Sequence, residues 1–272
     1  MSPTRRLALA GLAALAARPA LAADPGMASG GYERDGRKLA FAHAAALSQD
    51  NTEGLLEGGP QLRVVLSDVG VPAAALNGVA FPPVTGLARQ DAVHGVMLEF
   101  SPKDPKTMHV TVLAKPQELG ASLTNISLAN SQGVFKRLEV TATRVSGEYD
   151  GGADSGFKFS FSAPLATDPV TADLRGPDAQ KSEPLRVLIA RAEALGRGDL
   201  PAAVALSSQY SDLRNAPPQM LKEMAPAMSE MVKQLKAVKR VVVRQSSAVV
   251  LQGDGGGWTS LVRENDAWKV AD

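Results

Sequence analysis

The sequence predicts an α+β protein: an N-terminal antiparallel β-sandwich or barrel, then helices, then an antiparallel meander. Residues 32–162 contain short segments in which apolar and polar residues alternate, with no long helical pattern between them. Residues 184–238 change to the three-to-four-residue apolar spacing of amphipathic helices. Residues 239–270 return to alternation, with glycine-rich or Asn-Asp turns between the segments. This order of helices before strands favours α+β for the second half.

Residues 1–22 have the three-part pattern of an export signal. Arg5 and Arg6 precede an apolar run at 7–17, and Ala20 and Ala22 form a cleavage box. The run is too short to anchor the chain in a bilayer. We therefore expect a periplasmic or secreted protein whose mature chain begins near Ala23. The paired arginines match the twin-arginine motif only in part, so general secretion is favoured, with folded export as the alternative.

Residues 23–163 are predicted to form the β domain. Asp35-Gly36 is a two-residue hairpin signal. Alternation is clearest at 157–162, where three phenylalanines occupy one face and polar residues the other. A short helix is expected at 72–76. Strands are expected at 38–46, 62–68, 93–100, 107–114, 122–128, 135–145 and 157–162.

Residues 164–183 lose this pattern and are rich in Ala, Thr, Asp, Pro and Gly, so they are predicted to be a linker. The second domain, 184–272, is predicted to start with a helix at 184–195. Asp199 can cap a second helix in which Pro201 occupies an early position. A third helix is expected at 218–238. Strands are expected at 239–245, 248–252, 258–264 and 267–270.

Two segments of the second domain carry a family resemblance. Residues 194–203 (ALGRGDLPAA) and the ending at 261–270 (LVRENDAWKV) resemble the nuclear transport factor 2-like superfamily, in particular a secreted bacterial branch without an assigned function. In that superfamily a curved sheet wraps a long helix into a cone that often holds a ligand. The resemblance therefore implies a cone-like α+β fold for 184–272. The first half is similar to β-rich domains of uncharacterised exported bacterial proteins.

Composition excludes several classes of function. The sequence contains no cysteine, which removes disulfides, thiol catalysis and thiolate metal sites. The net charge is +1 and neither half has a dense basic face, so nucleic-acid binding is disfavoured. No apolar stretch after residue 22 has the length of a membrane span. No cofactor is expected.

The three histidines, His43, His94 and His109, are candidates for metal binding or general-base catalysis. His43 and His94 each share a predicted strand face with apolar residues. They could pair across strands as metal ligands or supply a general base. The alternative is two core histidines with satisfied ring nitrogens, and the sequence favours it because no carboxylate stands at ligand spacing beside either. His109 is expected to be exposed. No catalytic or metal-binding residue is assigned.

The third predicted helix carries a stripe of methionines that could line a ligand pocket, because flexible thioethers suit a deformable apolar surface. The alternative is that the stripe simply packs against the sheet. The pocket candidates are Met220, Met224, Met228, Met231, Leu188 and Trp258.

These observations favour a non-catalytic binding or accessory protein. Its ligand is expected to be a small apolar molecule or another envelope protein. An isomerase or hydrolase working in the cone is the alternative, and a purely structural envelope module is a third. Enzymes of the resembled superfamily use polar groups inside the cone. The second half offers only Tyr210 with Asp212 nearby and has no histidine.

Overall fold

The computed structural model shows a protein built mainly from strands. Strands account for 47% of the described residues and helices for 27%, so sheets rather than helices determine the architecture. The predicted export signal lies outside the residues described here, and so does the Asp35-Gly36 turn. The structure describes residues 26–34, 37–51, 59–78, 82–115, 125–127, 135–215, 217–252 and 257–271.

The first half forms one curled antiparallel sheet, a half-barrel. Its described strands follow the order β7-β6-β5-β4-β3-β1-β10-β9-β8, with β2 also paired to β1. One parallel pairing, between β3 and β10, completes the curl. The strands are β1 Met27–Arg34, β2 Arg37–Ala40, β3 His43–Asn51, β4 Gly59–Ser67, β5 Gly95–Ser101, β6 Asp104–Leu113, β7 Asn125–Ser127, β8 Arg137–Val140, β9 Arg144–Asp150 and β10 Phe157–Thr167.

The inner face of the half-barrel holds an aromatic core. Strand β10 alternates as predicted, with Phe157, Phe159 and Phe161 buried and the residues between them exposed or half-buried. Phe159 stacks on Tyr149 of β9 at a centroid distance of 5.1 Å. These rings pack together on the inner side of the curled sheet, and the polar residues of β10 lie on its other side.

The middle of the outer face is covered by short helices. A 3-10 helix at Ala73–Leu76 and helix α1 (Pro83–Arg89) pack on residues of β3, β4 and β5. Proline at the start of α1 suits a first turn, where its missing N–H is not needed. The 3-10 helix confirms the helix predicted at 72–76, whereas α1 was not predicted. The outer face beside β1, β9 and β10 presents exposed polar residues instead.

The second half forms a five-stranded antiparallel sheet in the order β11-β12-β13-β14-β15. The strands are β11 Val170–Arg175, β12 Arg240–Arg244, β13 Ser247–Leu251, β14 Trp258–Glu264 and β15 Ala267–Ala271. The remaining described α-helices are α2 Gly152–Ser155, α3 Pro177–Lys181, α4 Glu183–Gly196, α5 Leu200–Ala205 and α6 Pro218–Leu235.

Helices α3, α4 and α6 cover one face of this sheet. Leu185 and Leu188 of α4 and Leu235 of α6 share a core with Trp268 of β15. The opposite face is buried as well: Val242 and Val249 are fully inaccessible, and Val262 is nearly so. Both faces of the second sheet are therefore covered.

The prediction of an α+β fold with a cone-like second domain is wrong. The molecule is mostly β and its first half is a curled half-barrel, neither a two-sheet sandwich nor a closed barrel. The second sheet also takes its edge strand, β11, from before the helices. Since apolar residues fill both of its faces, its shape does not fit an open cone.

Residues 164–183, predicted to be a linker, contain regular structure. They include the end of β10, all of β11 and helix α3. In β11 the residues alternate between half-buried and exposed, as at a sheet edge. Pro169 and the surrounding small residues concealed this alternation.

A buried carboxylate joins the two sheets. Asp168 lies between β10 and β11 and is 1% exposed. It accepts hydrogen bonds from Gln49 Nε2 of β3 at 3.2 Å and from the amide of Ser246, between β12 and β13, at 2.6 Å. Ser247 donates a third through its hydroxyl. Nearby, Arg244 donates to the carbonyl of Asp50 at 2.8 Å. The two sheets therefore meet along a hydrogen-bonded junction.

Candidate functional site

A candidate site on the first sheet is a groove of about 630 Å³ beside β1. Its walls come from the β1–β2 pair on one side and from β9 and β10 on the other. This volume falls within the range of small-molecule sites, roughly 300–1,000 Å³.

Two glycines of β1 shape the groove. A β-carbon at Gly30 would lie 2.1 Å from the carbonyl oxygen of Lys158, and one at Gly31 would lie 2.2 Å from that of Leu39. Gly30 also has a φ of +96°, which other residues rarely adopt. Glycine therefore lets β10 and β2 approach β1 closely, and it leaves the space above β1 free of side chains.

The groove combines an apolar wall with a charged rim. Its apolar lining residues are Tyr32, Leu39, Tyr149 and Phe159, of which Leu39 is half-buried and the three aromatic residues belong to the buried core. The polar lining residues are Ser29, Glu33, Lys38, Glu148, Lys158 and Ser160.

The charges of the rim balance one another. Lys38 Nζ lies 3.4 Å from Glu33 Oε2, and Lys158 Nζ lies 3.7 Å from Asp150 Oδ2. A hydrogen bond from Lys136 lowers the pKa of Asp150, so that carboxylate stays ionised. With two lysines and two glutamates, the lining carries no net charge. Ser29 Oγ and Ser160 Oγ lie 2.8 Å apart and hydrogen-bond to each other across β1 and β10.

A second polar cluster surrounds His94, just before β5. Its Nδ1 lies 3.0 Å from Asp68 Oδ2 and its Nε2 lies 2.9 Å from Asp91 Oδ1. Lys115 Nζ lies 3.6 Å from the other oxygen of Asp91. The hydrogen bonds that both carboxylates accept from its ring raise the pKa of His94. The expectation of a core histidine without a neighbouring carboxylate is wrong, since the side chain is 31% exposed and held by two.

The arrangement around His94 limits its chemistry. Both ring nitrogens face carboxylate oxygens, so neither lone pair points to an open position for a metal ion or a substrate proton. Among the described residues, no group of three or more acidic or histidine side chains could hold a metal ion. His43 is half-buried on β3, and His109 is exposed on β6, as predicted.

The predicted pocket residues are distributed over the core of the second half. Leu188 and Met228 are buried, and Met231 is half-buried between two core clusters. Trp258 is half-buried at the start of β14. Met220 and Met224 belong to α6, but their side chains lie outside the described ones. A ligand pocket at these residues stays a prediction.

The second half also contains the predicted pair Tyr210 and Asp212. Burial, followed by the charge of Glu264, raises the pKa of Tyr210. The carboxylate of Glu264 accepts hydrogen bonds from Ser208 Oγ at 2.6 Å and from the amide of Gln209. These bonds tie the loop after α5 to β14. Asp212 begins a 3-10 helix at Asp212–Asn215.

Sequence reasoning did not identify the groove. Two adjacent glycines within a strand are a signal for close backbone approach, and this signal was present at Gly30 and Gly31. Similarly, Asp91 stands only three residues before His94. The contact between Asp91 and His94 depends on a φ of +65° at Asp91. The alternation of apolar and polar residues does not predict this backbone conformation.

Within the part of the chain that the structure describes, no helix is both long and apolar enough to cross a membrane. Comparison with known proteins adds no relative, since no family model, no curated protein and no solved structure matches the chain. The resemblance to the nuclear transport factor 2-like superfamily therefore stays a prediction.

Proposed function

We propose that this is an exported, non-catalytic binding protein whose ligand site is the groove beside β1. The observation that supports this most directly is the groove itself, whose lining combines apolar residues with paired charges. Binding sites commonly combine an apolar lining with a few polar groups that set the orientation of the ligand.

The ligand class follows from the charge balance of the rim. A strongly anionic ligand would be attracted by the two lysines and repelled by the two glutamates, and the reverse would hold for a strongly cationic ligand. A neutral or dipolar molecule can use both the lysines and the glutamates. We therefore propose a small ligand without net charge, with an apolar part that lies against the Leu39 side of the groove. This revises the expected apolar ligand of the second half.

The polar groups near the groove also support binding over catalysis. A nucleophilic serine needs a base within hydrogen-bond reach. Ser29 and Ser160 instead bond to each other. Lys38 already pairs with Glu33, and Lys158 already pairs with Asp150. This arrangement is suited to holding a ligand in place.

The export proposal rests on residues 1–22, whose pattern is that of a cleaved signal. N-terminal sequencing of protein recovered from the periplasmic fraction tests it. The expected first residue is Ala23, and recovery of the full-length chain from the cytoplasm alone would contradict the proposal.

Native mass spectrometry of protein purified from the periplasm tests the groove. We expect a small molecule of defined mass to remain bound to the native protein. Ser160→Trp fills the groove from β10 and should reduce the bound fraction about tenfold or more, the change that corresponds to roughly 1.4 kcal/mol of binding energy.

Ser162→Trp is the matched control. It places the same side chain on the same strand and face, two residues along, at a position that does not line the groove. Loss of the molecule in the Ser160 variant alone supports the proposal. If both variants keep it, or if neither the native protein nor a thermal-shift screen with neutral polar compounds reveals a ligand, the groove is not the site.

A further inference from the structure

We propose that Asp68, His94 and Asp91 form a proton-dependent latch, which holds helix α1 against the first sheet and releases it when His94 loses its proton. The inference concerns a region away from the groove and does not depend on the proposed ligand.

The latch joins three segments that are separate in the sequence. Asp68 follows β4, Asp91 lies in the turn after α1, and His94 leads into β5. The backbone amide of His94 also donates to Asp68 Oδ1 at 2.9 Å, so one carboxylate binds both the ring and the main chain. Only the imidazolium ring can donate to both carboxylates at once. A neutral ring carries one N–H and must leave the other carboxylate facing a lone pair.

The charged groups around the ring favour its protonated form. Asp68 and Asp91 supply the negative charge, and Lys115 beyond β6 neutralises part of Asp91. Arg89 is the charged residue of α1 itself. On the β3 side, His43 lies near Gly70, where a β-carbon would be 3.8 Å from its Nδ1. The two direct contacts are both carboxylates, so their attraction for the ring outweighs the repulsion from Lys115 and Arg89.

The direction of the pH effect follows from the pKa values. The pKa of His94 is raised above its ordinary value of 6.5 by the hydrogen bonds that its ring donates to Asp91 and then to Asp68. Its contribution to stability is therefore fully present below about pH 6.5 and is lost as the pH rises through the raised pKa.

The carboxylates set the acid limit. Burial opposes ionisation of Asp68, but hydrogen bonds from His94 outweigh it, and the His94 ring lowers the pKa of Asp91 as well. Their contribution is present above their ordinary pKa of 3.8 and is lost as the pH falls through the lowered values. Both hydrogen bonds of the latch are thus fully formed above the ordinary carboxyl pKa of 3.8, and they are lost when the pH rises through the raised pKa of His94.

Helix α1 connects the latch to the rest of the molecule. It packs on the outer face of the first sheet through Val84 and Ala88. On its other side Gly86 lies so near the second half that a β-carbon there would be 2.4 Å from the carbonyl oxygen of Tyr210. Loosening the turn at Asp91 therefore loosens an element that contacts both the first sheet and the loop at Tyr210 of the second half.

Hydrogen–deuterium exchange at about pH 6 and about pH 9, on either side of a raised histidine pKa, tests the latch. The reporting amides are Gln90 and Ala92, which bond to the carbonyls of Gly86 and Leu87. After correction for the intrinsic pH dependence of exchange, we expect these amides to exchange about tenfold faster at the higher pH, as the loss of one hydrogen bond between charged groups allows. Amides of β13 should show no such change.

His94→Gln removes the titration and should make the exchange at Gln90 and Ala92 the same at both pH values. His109→Gln is the control, since His109 is exposed on β6, and it should keep the response of the native protein. The ring ¹⁵N shifts of His94 in the native chain provide a measurement that does not depend on any variant folding. A neutral ring at about pH 6, or a pH response that persists in His94→Gln, would overturn the proposal.

Discussion

At the scale of single residues, Asp168 shows how a buried charge can join two sheets. Its carboxylate is withdrawn from water, and each of its oxygens accepts a hydrogen bond from the second half of the chain. Gln49 of the first sheet donates to the same group. A buried carboxylate is tolerated only when such donors compensate for its lost hydration.

We expect Asp168→Ala to lower the free energy of unfolding by about 3 kcal/mol or more, because several buried donors lose their acceptor together. Urea denaturation measures this. Asp173→Ala is the control: that carboxylate also binds arginines, but at the surface, and should cost about 1 kcal/mol or less. Equal costs for the two variants would show that Asp168 is not a key residue of the junction.

Residue-scale contacts were also where sequence reasoning was weakest. The composition and spacing around His94 indicated a strand residue on an apolar face, and the structure shows a half-exposed ring held between two carboxylates. Asp68 is distant in sequence and meets His94 only because β4 and β5 are paired. Contacts of this kind depend on sheet register, which one sequence does not specify.

At the scale of elements, local patterns gave good predictions. The helix expected at 218–238 is observed at Pro218–Leu235, and the strand expected at 258–264 has the same bounds. The strand predicted at 135–145 is in fact two, β8 and β9, because the chain turns at Thr141. Strand β11 and helix α1 were missed, since prolines beside them resembled loop signals.

Helix α1 offers a paired test of backbone contact. Glycine to alanine within a helix usually gains up to about 1 kcal/mol of stability. We expect Gly86→Ala to destabilise the protein instead, because its new β-carbon would meet the carbonyl oxygen of Tyr210 at 2.4 Å. Gly196→Ala, at the end of α4, places its β-carbon at an ordinary 3.6 Å from Met228 and should be neutral or stabilising.

Thermal unfolding of the two variants separates packing from helix propensity. The expected result is a lower melting temperature for Gly86→Ala and an unchanged or higher one for Gly196→Ala. Similar shifts in both would mean that α1 does not press against the second half.

At the scale of the whole molecule, the structure revises the expectation that residues 164–183 separate two lobes. These residues form part of both sheets, and Asp168 among them is buried. A protease needs locally unfolded chain, which regular hydrogen-bonded structure does not present. The predicted fold class was wrong because the sequence indicates the helices and strands but does not specify which faces of these elements pack together.

Limited proteolysis of the native protein should therefore leave residues 164–183 intact under conditions that cut exposed chain. Asp168→Ala supplies the comparison, because weakening the junction should open this segment to cleavage. Mass spectrometry of the fragments identifies the cut sites. Rapid cleavage between residues 164 and 183 in the native protein would contradict this prediction and support two lobes joined by a linker.

The place of β1 within the first sheet has a consequence for biosynthesis. Residues 27–32 pair with 157–162, so a strand made among the earliest waits for a partner made some 130 residues later. Such distant pairing makes folding slow. The ribosome must synthesise β10 before β1 can pair with it. Until then the amides of β1 that bond to β10 are unpaired and can bond to other chains. Emerging chains of this protein are therefore expected to depend on chaperones that delay association until synthesis has passed residue 162.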